Sequence, residues 1–445
     1  MNPNSLYSKI FNLSKLNFVN YFFVFISSVI IFRIVDRNDY GLWAVLLSFF
    51  AIYELVIAGL DLSVTRFYKN LDFTGKANLV CSVLFFKLTV FLIFILLIFY
   101  FYESNFFNNF ISEPYIAKTN LSYFLVLACV NNFLNIFIGT GNAIINSLKF
   151  YEKISRVGIF KNAIFFISVI ALSIFTNQYI FFILTNSLLN LILLGYVIFF
   201  LINFYDRSKI LKIFQVKFSL VSSFRKIVPY SLPLSLTSML SYSKNHLPIL
   251  ILGNSFTLES VAIFSILKNI FKSFHSITSS FIEPMLMSFL DLKESKKYHK
   301  KMNAIFNSSL ALRLIISLFL IVISDYVMEI YNIENSSVNS ILFYIFSLEF
   351  FIAGLIIYYG LLIKLEDNTV KLFVSSLIRF SADIFLIYIF LVEYGILGAG
   401  IVFLLGRLIE TFAAYFLCFD KKLYQISIPV LIISALLSIV ILRTF

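Results

Sequence analysis

Apolar runs of about twenty residues recur along this chain, separated by short polar segments. A helix rising 1.5 Å per residue needs about twenty mostly apolar residues to cross a hydrocarbon layer ~30 Å thick. On that measure the pattern predicts helices near residues 15–34, 40–60, 77–102, 121–146, 155–177 and 179–204. A more polar, basic segment follows at 205–226. A second set is predicted near 227–252, 258–288, 304–326, 339–363, 370–393 and 397–419, with a further apolar run near 424–443. The predicted organisation is an N-terminal six-helix lobe over 1–204, a basic cytoplasmic linker over 205–226, a C-terminal six-helix lobe over 227–419, and an extra, thirteenth helix within 420–445. Residues 209–228 mix Lys and Arg with Ile, Leu, Phe and Val, a composition suited to an amphipathic helix along the inner leaflet.

Composition agrees with the pattern. The chain is 60% hydrophobic and 13% charged, with a mean hydropathy of +0.94, against ~45–50% apolar residues in soluble domains. This excludes an ordinary soluble globular protein and points to an all-α integral membrane protein, whose backbone polar groups are satisfied within each span. The net charge of +12 does not indicate nucleic acid, because the positive residues sit in short segments between apolar runs. Arg66, Lys69 and Lys76; Lys149, Lys153 and Arg156; the 205–226 linker; and Lys421 with Lys422 mark alternate connections as cytoplasmic. The N-terminus is then cytoplasmic, and a spanning thirteenth helix leaves the C-terminus outside. The basic start before the first apolar run lacks a small-residue cleavage site and reads as a retained helix. Cys81, Cys129 and Cys418 lie in apolar runs without metal-ligand spacing and read as buried thiols.

Charges inside apolar runs carry the candidate chemistry, since an ion at membrane depth is costly unless it has a partner or a polar surrounding. Lys268, Lys272 and His275 are spaced i, i+4, i+7, on one helix face over about 10 Å. Lys268 lies roughly 13 Å along the helix from Glu259. These three residues either bind an anion, such as pyrophosphate or an acidic sugar, or pair with Glu54, Glu349 or Asp383 to hold helices together. Lys244 and His246 in the preceding helix either join that basic face or snorkel outward. Arg33 sits among Asp36, Arg37 and Asp39 in a short outer turn and could reach a cargo site. Glu54 is a candidate for proton or sodium coupling, or for pairing with a Lys or His. Asp61 and Arg66 near the cytoplasmic end suit a gate. Pro229, Pro233, Pro248 and Pro284 concentrate in helices seven and eight, where they predict kinks and, with Pro284, a bending element. Arg379 with Asp383 and Arg407 with Glu410 have the spacing of intrahelical pairs. Asn131, Asn132, Asn135 and Asn142 could link helices or contact sugars. Lys87 and Glu349 stand alone with no assigned role.

A weak internal repeat aligns Tyr40-Gly41-Leu42-Trp43-Ala44 with Val261-Ala262-Ile263-Phe264-Ser265. In that register Glu54 corresponds to His275, and Leu47 and Ala51 correspond to Lys268 and Lys272. Repeats of this kind mark many transporters.

Three stretches resemble bacterial polysaccharide and O-antigen flippases of the multidrug/oligosaccharidyl-lipid/polysaccharide (MOP) exporter superfamily. They are residues 32–68, with Tyr40-Gly41-Leu42-Trp43, Asp61-Leu62-Ser63 and Arg66; residues 249–265, ILILGNSFTLESVAIFS; and residues 394–407, YGILGAGIVFLLGR. They occur in the order expected over nearly the whole chain. The chain departs from the family at Lys244-Asn245-His246, where an acidic residue is frequent. The resemblance implies two six-helix lobes in a V-shaped, MATE-like fold that opens alternately to either side of the membrane. It implies a bacterial inner-membrane protein that flips a polyprenyl-pyrophosphate-linked oligosaccharide, an O-antigen or capsule repeat unit. A polysaccharide polymerase or chain-length regulator would be a partner; nucleic acid would not. No cofactor or metal is expected, and coupling to H+ or Na+ stays open. A multidrug or cation antiporter of the same superfamily is the alternative, although the basic stripe suits an anion. A membrane glycan polymerase or glycosyltransferase would need a large external loop with catalytic groups; the outer segments are short and carry no nucleophile, metal or nucleotide motif, so a non-enzyme is expected.

Overall fold

The computed structural model describes residues 3–111, 121–148, 150–204, 220–279, 298–365 and 369–417. The described residues are helical, with short turns and no strand. Fifteen α-helices follow in order: α1 (Pro3–Ile34), α2 (Arg37–Phe67), α3 (Phe73–Glu103), α4 (Phe106–Phe110), α5 (Leu121–Ser147), α6 (Tyr151–Phe175), α7 (Tyr179–Phe204), α8 (Leu220–Asn245), α9 (Leu247–Ser255), α10 (Leu258–Ser279), α11 (Tyr298–Val322), α12 (Ser324–Ile330), α13 (Ser337–Leu365), α14 (Thr369–Leu386) and α15 (Val392–Leu417). As far as the residues are described, each of the twelve apolar runs predicted between 15 and 419 falls on one or two of these helices; residues 280–288 and 418–419 of two runs lie outside them. The run near 424–443, the linker residues 205–219 and Pro284 lie outside the described residues.

Among the described residues, seven helical segments are long and apolar enough to cross a membrane, or nine if two bent pairs count as single spans. The chain is therefore a multi-pass membrane protein. Several features of the described residues lower this count. One segment, Phe373–Leu417, is 45 residues long, about 68 Å if straight, more than twice a hydrocarbon core. It folds back where Gly395 adopts φ 56°, in the half of backbone space that only glycine enters freely. A π-helical turn at Ile387–Leu391 precedes it. Gly398 then meets that turn so closely that a Cβ would stand 1.9 Å from the Phe390 carbonyl oxygen. Helix α8 carries Pro229 and Pro233 and has only a short apolar core, Ile227–Leu240. Helix α10 carries Glu259, Lys268 and Lys272 and does not meet the composition of a span.

The chain divides into two compact units. One comprises Ile26–Tyr242 with Gly253–Leu258; the other comprises Met1–Phe25, Ser243–Leu252 and Glu259–Phe445. These edges differ from the sequence-based lobes at 1–204 and 227–419, because much of α8 packs with the first unit.

In the first unit, α5 is a central helix that packs on α2, α3, α6 and α7. Asp36 caps α2 by accepting from the Asn38 N–H at 2.7 Å, and Asp72 caps α3 by accepting from the Gly75 N–H at 2.9 Å; both satisfy donors the helix itself leaves open. The Tyr40-Gly41-Leu42-Trp43 run opens α2. Tyr40 stacks on Tyr179 at 5.4 Å and Trp43 meets Phe124 at 6.1 Å. Gly41 touches backbone: a Cβ there would stand 2.1 Å from the Leu258 carbonyl oxygen. The second unit is built around α13 and α15, with α14 on α15 and α11 on α13. Its core includes Ile345, Phe346, Ile352, Ala353 and Tyr359, all fully buried.

Candidate functional site

The second unit holds a network of buried charges. Arg379 on α14 donates to Asp383 one turn later, 3.4 Å away, and to Glu410 on α15 at 2.5 Å. Arg407 on α15 donates to Glu410 at 2.9 Å and to Glu349 on α13 at 2.6 Å. The two arginines thus share the same Glu410 oxygen, Oε2. All five side chains are at most 10% exposed. Charge-assisted pairs of this kind offset the cost of removing each ion from water. Gly406 makes room: a Cβ there would stand 2.1 Å from Asp383 Oδ1.

Both local pairs expected from spacing, Arg379–Asp383 and Arg407–Glu410, are present. The pairs between helices had no signature in the spacing, and Glu349 finds its partner there. Of the two readings of the basic stripe, pairing with Glu349 or Asp383 finds arginines in that place: Arg407 holds Glu349 and Arg379 holds Asp383.

The basic stripe on α10 separates into three environments. Lys268 donates to the Asn245 carbonyl at the end of α8, and its ammonium lies 5.9 Å from the Phe403 ring centre. α8 ends at Asn245 and α9 begins at Leu247, and Pro248 has no N–H to offer the Lys244 carbonyl one turn back. Lys272 is exposed. His275 is half-buried, with Nδ1 3.2 Å from an amino nitrogen of Arg313. Lys244 approaches Glu410 Oε1 at 3.9 Å, and His246 is half-buried at the break between α8 and α9.

Arg313 was not singled out in the sequence. It lies in the apolar run of α11, is fully buried, donates to the Phe350 carbonyl at 3.2 Å and lies 5.1 Å from the Phe350 ring. Gly354, one turn beyond Phe350, leaves the space for it: a Cβ would stand 2.6 Å from Arg313 Cδ. A lone arginine among Leu and Ile is itself the signal that could have found it.

In the first unit, Lys87 is 1% exposed and reaches Asp61 at 2.6 Å, with Asp61 32% exposed. Lys87 also donates to Thr140 Oγ1 at 3.1 Å. Asp61 is thus the partner of Lys87, a half-buried carboxylate on a buried ammonium. Glu54, Arg33 and Arg66 have exposed side chains on α1 and α2. Asn131 accepts from Asn190 at 3.1 Å, joining α5 to α7, as expected for amides linking helices. A cavity of about 350 Å³ near the end of α7 is lined by Lys153, Tyr196, Phe199, Phe200, Asn203 and Phe204; none of the site residues singled out in the sequence lines it. Among the described residues no cluster of His, Cys, Asp and Glu could hold a metal.

No protein-family model and no curated protein matches this chain by sequence. Solved structures do match over nearly its full length. The lipid II flippase MurJ, in an inward closed conformation, superposes with a TM-score of 0.71 at 14% identity, covering 96% of each chain. An inward-facing multidrug resistance MATE family transporter of the MOP superfamily gives 0.68 at 14% identity, over 94% of this chain and 96% of that one. A MOP superfamily transporter from Pyrococcus furiosus, described as having a binding pocket of reverse polarity, gives 0.64 at 12% identity, over 92% and 94%. The chain has the fold of the MOP superfamily transporters.

Proposed function

We propose that this protein is a flippase that moves a polyprenyl-pyrophosphate-linked oligosaccharide, an O-antigen or capsule repeat unit, across a bacterial inner membrane by alternating access. The observation that carries this reading is the sign of the charge left over in the second unit. Around the buried network the cations Lys244, Lys268, Lys272, Arg313, Arg379 and Arg407 outnumber the carboxylates Glu349, Asp383 and Glu410, six to three. The division of labour by residue type supports it further. Arg379 and Arg407 between them pair with all three carboxylates. The lysines hold no carboxylate closely among the described residues: Lys268 donates to a backbone carbonyl and Lys244 stands 3.9 Å from Glu410.

An ammonium has three N–H groups to offer, so Lys268 keeps donors for a phosphate oxygen after serving Asn245. Lys244 can exchange Glu410 for a phosphate. No bond of the cargo is made or broken; the lysines replace the water that a pyrophosphate loses, and loose attachment allows its release. A cation exporter of the same fold is the competing reading. It would need acceptors for its cargo, yet Glu349, Asp383 and Glu410 each already hold a guanidinium.

The test is a double substitution, Lys244→Gln with Lys268→Gln, assayed in vesicles for flipping of a lipid-linked oligosaccharide. Loss of charge-assisted contacts worth ~1.5–3 kcal/mol each should lower the rate about tenfold or more. An unchanged rate in a folded variant would remove the lysines from cargo handling.

A further inference from the structure

We infer that Arg313 fixes His275 as a neutral imidazole that carries its proton on Nε2, so that His275 serves as a hydrogen-bond donor to cargo oxygens rather than as a third cation of the basic stripe. The geometry gives the direction of the bond. Arginine has five N–H donors, no acceptor, and no neutral form in a protein. The contact between its Nη1 and His275 Nδ1, at 3.2 Å, is therefore donated by Arg313, and Nδ1 must present a lone pair. A bare Nδ1 in a neutral ring places the proton on Nε2.

Arg313 has no freedom to give way. It is fully buried, its Nη1 also donates to the Phe350 carbonyl, its Cζ lies 5.1 Å from the Phe350 ring centre, and its stem packs against Gly354, where even a Cβ would stand 2.6 Å from its Cδ. Three helices thus meet at this side chain: α10 through His275, α11 through Arg313, and α13 through Phe350 and Gly354. Among the described residues, the charged groups that act most strongly on His275 are the cations Arg313 on α11, Arg407 on α15, Lys244 on α8 and Lys272 on its own helix. A proton on Nδ1 would point at the guanidinium and add to that charge. Arg313 is a positioning residue in this arrangement; it does not touch cargo. The contact of His275 Nε2 with a sugar hydroxyl or phosphate oxygen rests on the flippase reading, whereas the tautomer does not.

The chain has only three histidines, which makes the tautomer directly measurable. Full-length protein labelled with 15N-histidine in nanodiscs, with His246→Gln and His299→Gln to assign signals, should show His275 neutral, bare at Nδ1, and unchanged between about pH 6 and pH 8. In Arg313→Met the ring should lose that single tautomer, while Arg313→Lys should keep it. An imidazolium, or a proton on Nδ1, in the wild-type protein overturns the inference even if the Arg313 variants do not fold. In the flipping assay His275→Phe should fall at least tenfold, and His275→Gln, whose amide N–H stands where Nε2–H stood, should lose clearly less than His275→Phe. Equal rates in those two variants overturn the donor role while leaving the tautomer and the lysine-based reading standing.

Discussion

Arg379 and Glu410 meet 2.5 Å apart, joining α14 to α15, with 2% and 8% of their side chains exposed. Glu410 takes Arg407 on the same oxygen at 2.9 Å. Removing one member of such a pair leaves an ion in a poor medium, a loss of ~3–5 kcal/mol. Glu410→Leu should therefore lower Tm in detergent sharply. Glu410→Leu combined with Arg379→Met should recover part of that loss. A single variant as stable as wild type would mean that the network does not hold the helices.

The legibility of this region divides by distance along the chain. Spacings of four and three residues, Arg379–Asp383 and Arg407–Glu410, are readable because a helix returns to the same face at that interval. The bonds that connect helices span 31 and 58 residues, and no periodicity encodes them. The apolar runs located the helices because a span's length is set by the membrane, to the residue for 179–204 but several residues short for 40–60, where α2 runs Arg37–Phe67. They did not show that α8 stops at Asn245 or that α14 and α15 run together through a π turn. Those features depend on single residues, Pro248 and Gly395. Lys268, Lys272 and His275 lie on one face as spacing required, but their partners, Asn245 and Arg313, come from other helices.

Gly406 allows the α14–α15 contact, since a Cβ would enter the space of Asp383 Oδ1 and stand 3.5 Å from Arg379 Nε. Both neighbours are fixed by their ion pair. Gly406→Ala should cost ~1–3 kcal/mol, the range for overpacking. A thermal melt unchanged from wild type would show that the network yields to a methyl group.

Lys87 and Asp61 form an asymmetric pair, 1% and 32% exposed. Deleting the lysine leaves a carboxylate that water can reach. Deleting the carboxylate leaves a buried ammonium. Asp61→Asn should therefore destabilise the protein by several kcal/mol, as expected for an uncompensated buried charge, and Lys87→Met by about 1 kcal/mol, nearer the value of an exposed pair. Thermal melts of the two variants and of the double variant check this order. Equal losses would contradict the asymmetry.

Gly41 touches the Leu258 carbonyl, where a Cβ would stand 2.1 Å from oxygen. Backbone lies on both sides, so no side chain can move away. Gly41→Ala should reduce the yield of folded protein and lower Tm, whereas Ala44→Gly, on the next turn, should change Tm by ~1 kcal/mol equivalent or less through helix propensity alone. Similar melts for the two variants would remove the close approach as the reason for glycine in Tyr40-Gly41-Leu42-Trp43.

The sign of the cargo is the central claim. It is tested most directly by purified wild-type protein in vesicles offered two cargoes side by side: a fluorescent polyprenyl-pyrophosphate oligosaccharide and a lipophilic organic cation. The expected result is protein-dependent flipping of the anionic lipid-linked sugar with no movement of the cation above protein-free vesicles. Transport of the cation without flipping of the sugar would contradict a cationic site built for an anion.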